Sequence, residues 1–113
     1  MSPTRALAVV LLVATGWSLA ACTDDTGAID QEGHNGYDRR ACTRFAAMAN
    51  DVTHGALSTP QAQGAAVQLA GTSGHGGDPK VRRAGSDLAD AYRAGDTRRV
   101  AAAMAEFRAA CAW

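Results

Sequence analysis

Asp78-Pro79-Lys80-Val81-Arg82-Arg83-Ala84-Gly85-Ser86-Asp87-Leu88-Ala89-Asp90-Ala91-Tyr92-Arg93-Ala94-Gly95-Asp96-Thr97-Arg98-Arg99-Val100-Ala101-Ala102-Ala103-Met104-Ala105-Glu106-Phe107-Arg108-Ala109-Ala110-Cys111 spells two helices with their start and stop signals in place. Asp78 is an N-cap residue and Pro79 suits the first helical position, where its missing N–H would be unpaired anyway. Val81, Ala84, Leu88, Ala91 and Tyr92 then fall on one face, until Gly95 ends the run. Asp96 is placed to cap the next helix, in which Val100, Ala103, Met104, Phe107, Ala110 and Cys111 recur at three- and four-residue steps. That is the period of an amphipathic helix. Arg98, Arg99 and Arg108 fall off the stripe and are expected to face water.

Working back toward the N-terminus, Cys42, Phe45, Ala46, Ala49, Val52 and Ala56 form another stripe, which predicts a helix from about Tyr37 to His54. Asp38 is the expected cap at its start and Gly55 its stop, with Arg39 and Arg40 outside the stripe. A second helix is expected from Thr59-Pro60, with Ala62, Ala65, Ala66 and Leu69 as a narrower apolar face. Gly64 weakens it, since glycine in a helix interior costs about 1 kcal/mol relative to alanine. Gly71-Thr72-Ser73-Gly74-His75-Gly76-Gly77 reads as a flexible connector. As a phosphate cradle it fails, because no strand precedes it and no Gly-Lys-Ser/Thr follows. The expected fold is all-α, a small antiparallel bundle of three or four helices over residues 37–113.

The N-terminal third has a different character. Arg5 precedes the apolar run Ala6–Ala14, then Thr15-Gly16-Trp17-Ser18 interrupts it and small residues lead to Cys22. The run is too short for a permanent span, which needs about 20 apolar residues. A positive start, a short apolar middle and a small-residue exit describe a removable export signal. Leu19-Ala20-Ala21-Cys22 resembles the lipobox of bacterial lipoproteins. The resemblance implies recognition of Leu19, Ala20 and Ala21 by the signal peptidase. It also implies a diacylglycerol on the Cys22 thiol, and a mature chain that begins at Cys22. Ordinary secretion is the alternative, since Ser18-Leu19-Ala20 also satisfies a small-x-small cleavage rule and would leave Cys22 a plain thiol. Residues 1–21 are thus expected to be the signal peptide. Residues 22–36, polar and acidic with Ile29 as their one large apolar side chain, are expected to be a flexible tether. Asp24, Asp25, Asp30 and Glu32 lack the ligand spacing of a calcium loop. With two or more acyl chains the anchor would be stable, where a single chain binds only marginally.

Assigning Cys22 to lipid leaves Cys42 and Cys111 as the remaining two of three cysteines. Each lies on an apolar stripe, in the first helix and the last, and in an exported chain such a pair is expected to form a disulfide. The rival reading is two buried free thiols. The pattern Cys42-x2-Phe45, Ala49-Asn50-Asp51-Val52, Gly55-x-Leu57-Ser58, Gly95-Asp96 and Ala110-Cys111 resembles that of small, uncharacterised helical exported proteins of actinobacteria. The resemblance implies a helical fold with the two cysteines bridged, and it carries no function. Abundant alanine and arginine, with Lys80 the single lysine, fit a GC-rich genome.

Composition excludes several classes. Without Arg5 the chain has ten basic residues against eleven acidic ones, a formal charge of −1. A nucleic-acid binder would show a basic excess on one face, and a polybasic membrane contact likewise. His34, His54 and His75 fall respectively on the tether, at a helix end and in the glycine loop, and no His-x3-His or Cys-x2-Cys spacing accompanies them. Ser58, Ser73 and Ser86 read as capping, loop and surface residues. The carboxylates Asp51, Asp87, Asp90 and Glu106 lie mostly off the apolar stripes and read as solvated. No catalytic residue, metal or cofactor is therefore expected. The leading expectation is a non-catalytic, lipid-anchored envelope protein that binds another, unidentified envelope protein. The alternative is a small-molecule or lipid-binding module using space between helices lined by Phe45, Leu69, Tyr92 and Phe107. Tyr37 and Trp113 either mark a binding surface, since interface anchors are often aromatic, or cover the edge of the core.

Overall fold

The structure, a computed structural model, describes Ile29 and residues 33–113. The expected signal peptide, the lipobox residues Leu19, Ala20, Ala21 and Cys22, and the tether up to residue 32 apart from Ile29 lie outside the described residues. Four helices follow: α1 (Gly36–Thr53), α2 (Thr59–Ser73), α3 (Pro79–Ala94) and α4 (Thr97–Ala110). Among the described residues there is no strand.

Local chemistry explains where each helix starts. At α1 the cap is Asn35, not Asp38: its side chain accepts from the N–H groups of Tyr37 and Asp38 at 3.0 and 3.1 Å. Asp38 is the third helical residue, and its carboxylate reaches back to accept the Asn35 N–H at 2.8 Å. This reciprocal box satisfies amide groups that no helical carbonyl can reach. Ser58 and Gln61 make the same box for α2, with Pro60 in its first turn. Asp78 caps α3 through the Lys80 N–H at 2.8 Å, and Asp96 caps α4 through Arg98 and Arg99, both as expected. Gly55 and Gly95 stop α1 and α3 with φ of 67° and 68°, a left-handed conformation that glycine adopts without strain.

The helices run alternately up and down, each packed on the next, and α4 returns to α1 to close the ring. One end of the bundle therefore gathers the start of α1, the α2–α3 loop and the end of α4. The α1–α4 seam is the least extensive of the four. Cys42 and Cys111 are joined there by a disulfide, with Cα atoms 5.6 Å apart and a sequence separation of 69. Beside it Phe45 and Phe107 stack with ring centroids 4.5 Å apart.

The core is thin in large side chains. Of the fifteen buried hydrophobic residues among those described, nine are alanine, and the bulk comes from Phe45, Met48, Leu69, Val81, Leu88 and Phe107. Small residues let the helices approach closely: Gly85 of α3 lies against Ser73 of α2, where a Cβ would collide with the serine hydroxyl. Each fully buried large side chain contributes about 1.5–3 kcal/mol, so six of them leave a narrow margin over chain entropy. The disulfide adds about 4 kcal/mol if its effect is entropic, enough to decide whether such a bundle stays folded.

The α1 stripe differs by one position from expectation. Ala41, Phe45, Met48 and Ala49 face the core, whereas Ala46 and Ala56 are exposed. Anchoring Asp38 inward sets the helix rotation, and residues three and four further on follow it. The glycine-rich segment also differs. Gly71, Thr72 and Ser73 continue α2, so the loop spans only 74–78.

Candidate functional site

At the end of the bundle where the three segments meet, a buried carboxylate organises the backbone. Asp38 is fully buried. Besides the Asn35 N–H, it accepts from the Gly77 N–H at 2.9 Å and from the Asp78 N–H at 3.3 Å. Gly76 and Gly77 are required here, because a Cβ on either would press into the Asp38 carboxylate or the Gly33 carbonyl. The Asn35 amide donates to the His75 carbonyl at 3.0 Å, and Arg82 donates to the Gly76 carbonyl at 2.8 Å. The segment expected to be a flexible connector is thus held on both sides. The reason is the buried Asp38 carboxylate, 39 residues before Gly77, which accepts the N–H groups of Gly77 and Asp78.

His34, expected on the tether, is built into this end. It is 5 % exposed, with Nε2 2.9 Å from Asp78 Oδ2. Its ring stacks on Trp113 with centroids 3.6 Å apart and planes 10° from parallel. Asp78 therefore serves two partners, the α3 amide at Oδ1 and His34 at Oδ2. His34 and Asn35, both expected on the tether, are thus part of the packed end of the bundle. His54 caps the end of α1 and His75 sits in the loop, as expected, with Tyr37 tilted against His75 at 5.2 Å. The Arg40 guanidinium lies 5.8 Å from the Tyr37 ring centroid.

A second feature runs along the α1–α4 seam. An open groove of about 870 Å³ is floored by the Cys42–Cys111 disulfide, Phe45, Ala46 and Ala49, with Asn50, Thr53 and Arg108 among its rim residues. Leu69 and Phe107, which the alternative reading placed around a ligand space between helices, fill the core, and Phe45 belongs both to the core and to the groove floor. Tyr92 is half-buried at the core margin, where burial pushes its hydroxyl above the ordinary value. Space for a ligand thus lies outside the core, at the weakest helix seam.

The carboxylates divide. Asp90 is exposed and pairs with Arg93 at 3.5 Å, a solvated pair of little energetic weight. Asp87 of α3 and Glu106 of α4, expected to be solvated, are half-buried and hydrogen-bond to each other across the α3–α4 seam. Burial first, then the Asp87 hydrogen bond and charge, push the Glu106 carboxyl above its ordinary value, while Arg83 opposes them. Ser58 caps and Ser86 is exposed as expected, but Ser73 is buried, donating to the Ala70 carbonyl at 3.2 Å. Sequence reasoning missed Asn35 and misassigned Asp38. The signal was present, since a side-chain acceptor three residues before an acidic residue, ahead of an apolar stripe, is the capping-box spacing.

Among the described residues no group of three or more His, Cys, Asp or Glu side chains is arranged to hold a metal ion, and no helix is long and apolar enough to cross a membrane. The chain matches no protein-family model, no curated protein and no solved structure.

Proposed function

We propose that this chain is a non-catalytic lipoprotein of the cell envelope, held at the extracytoplasmic face of the membrane through Cys22, whose helical body binds another envelope protein. The observation that carries the anchor is the Cys42–Cys111 bond. It consumes two of three cysteines and leaves Cys22 without a partner in its own chain, at the residue where a lipobox requires a thiol. The observation that favours a protein partner is the seam groove, which offers an apolar floor and a polar rim along two exposed helix edges. That anatomy suits a segment of another chain laid between α1 and α4.

The second reading, a small-molecule or lipid-binding envelope module, draws on the same groove, whose volume falls in the range of small-ligand sites, about 300–1,000 Å³. Two measurements separate the readings. Intact mass of the protein extracted from its own membranes, alkylated before and after reduction, is expected to show a chain starting at Cys22 with lipid and two thiols released only by reduction. A photo-crosslinker at Ala46 is then expected to capture one discrete protein, which the same group at Arg98 does not capture. Capture of a small adduct in its place supports the alternative. A chain without lipid, retaining a free Cys22 thiol, refutes the anchor and indicates secretion.

A further inference from the structure

Among the described residues the exposed large hydrophobic side chains are Ile29, Val67 and Trp113, and two of the three are at one end. Ile29, 63 % exposed, lies over Gly77, with its Cγ1 3.4 Å from where a Cβ would stand. Trp113 stacks one ring face on His34 and remains 46 % exposed. Trp113 and the exposed Lys80 border the same recess of about 360 Å³, together with Gly77 and Asp78. Trp113 and Lys80 border this recess and Ile29 lies beside its Gly77 wall, so one end of the bundle carries an indole, an aliphatic side chain and an ammonium. That residue set favours a membrane–water interface, where the ring sits at headgroup level and the cation meets anionic lipid.

Chain length says what covers this end. Ile29 is the seventh residue after Cys22, so even a fully extended chain places their Cα atoms at most about 25 Å apart. The α1 helix is about 27 Å long, which sets the opposite end of the bundle, with Gly55 and Gly95, a further helix length away. A tether this short keeps its own end at millimolar effective concentration, so a face of weak intrinsic affinity is held on the surface. The His34–Asp78 and His34–Trp113 contacts fix the direction in which the chain enters that end.

We propose that the end of the bundle bearing Ile29, Trp113 and Lys80 is a membrane-contact face that rests in the headgroup layer of the bilayer anchoring Cys22. This rests on the lipid-anchor reading above. It stands the helices away from the surface and leaves the α1–α4 groove open to a partner in the envelope space.

Trp113 is the only tryptophan after residue 21, so its fluorescence reports on this face alone. The lipidated protein, verified by mass, is reconstituted into phosphatidylglycerol-containing vesicles, with residues 22–113 carrying Cys22→Ser free in buffer as reference. The expected result is a shift of emission to shorter wavelength, loss of acrylamide quenching and gain of quenching by brominated lipid. Ile29→Ser and Lys80→Gln are expected to reduce all three responses, and Val67→Ser to leave them unchanged. Lipid-bearing, vesicle-bound protein whose Trp113 remains open to acrylamide and untouched by brominated lipid overturns the proposal while leaving the anchor standing. A native protein without lipid overturns both, and the mass spectrum distinguishes the two failures.

Discussion

Removing the Asp38 carboxylate tests the account of how the bundle end is held. Three backbone N–H groups, those of Asn35, Gly77 and Asp78, point at one fully buried carboxylate at 2.8, 2.9 and 3.3 Å. A hydrogen bond to a charged group contributes about 1.5–3 kcal/mol, and a donor left buried without a partner costs about 1–3 kcal/mol. The three are not additive, because water can reach the half-buried loop once the carboxylate is gone. Asp38→Ala is therefore expected to cost about 3–4 kcal/mol. Asp38→Asn keeps an oxygen where Oδ2 accepts all three donors and loses mainly the charge, so it is expected to cost about 1 kcal/mol, or about 4–8 °C in Tm. The assay is urea unfolding followed by far-ultraviolet circular dichroism, in the Cys22→Ser chain with Cys42–Cys111 oxidised, so that the cross-link is common to all variants. Amide exchange at Gly77 is expected to accelerate far more than exchange at Leu88 in mid-helix. An alanine variant within about 1 kcal/mol of the parent, with Gly77 still protected, would refute the assignment, because a loss that small and local is what a surface hydrogen bond gives, not a buried carboxylate serving three amides.

Glycines at two helix positions are expected to respond in opposite directions. Gly85→Ala drives a methyl into the Ser73 side chain and is expected to cost about 1–3 kcal/mol by denaturant titration. Gly64→Ala meets open space and is expected to stabilise by about 0.5–1 kcal/mol. Glu106 gives a pH signature. Its carboxyl is raised in the folded state, so the folded protein holds that proton more tightly than the unfolded chain. The associated stability is present in full below the ordinary carboxylate value and is lost as pH rises through the raised folded value. Glu106→Gln is accordingly expected to raise Tm at neutral pH and to leave it nearly unchanged in acid below about pH 4. Replacing both Cys42 and Cys111 by serine is expected to lower stability by about 4 kcal/mol, read as a fall in the urea midpoint; a loss below about 1 kcal/mol would show that the seam holds without its cross-link.

Helix existence and order were legible because their determinants are local. Asp78-Pro79, Asp96, Gly55 and Gly95 act on neighbours within one turn, and the three- and four-residue steps of Leu88, Phe107 and Cys111 define a face without reference to any other helix. The disulfide was legible for a related reason, since two cysteines on separate inward faces of a small bundle have one common place to meet.

Tertiary structure decided whatever depended on partners far along the chain. Nothing near Asp38 in sequence announces Gly77 and Asp78, and only the antiparallel return of α2 brings those amides to it. The same return converts His34 from a tether residue into a buried ring under Trp113, and the facing of α3 and α4 turns two expected surface carboxylates into the Asp87–Glu106 contact. By itself, then, the sequence determined the helices, their ends and the inward cysteines, because those follow from backbone geometry and residue period. Which polar groups are buried, and where the surface opens into a groove, depends on helix rotation and crossing, which only the packed bundle settles.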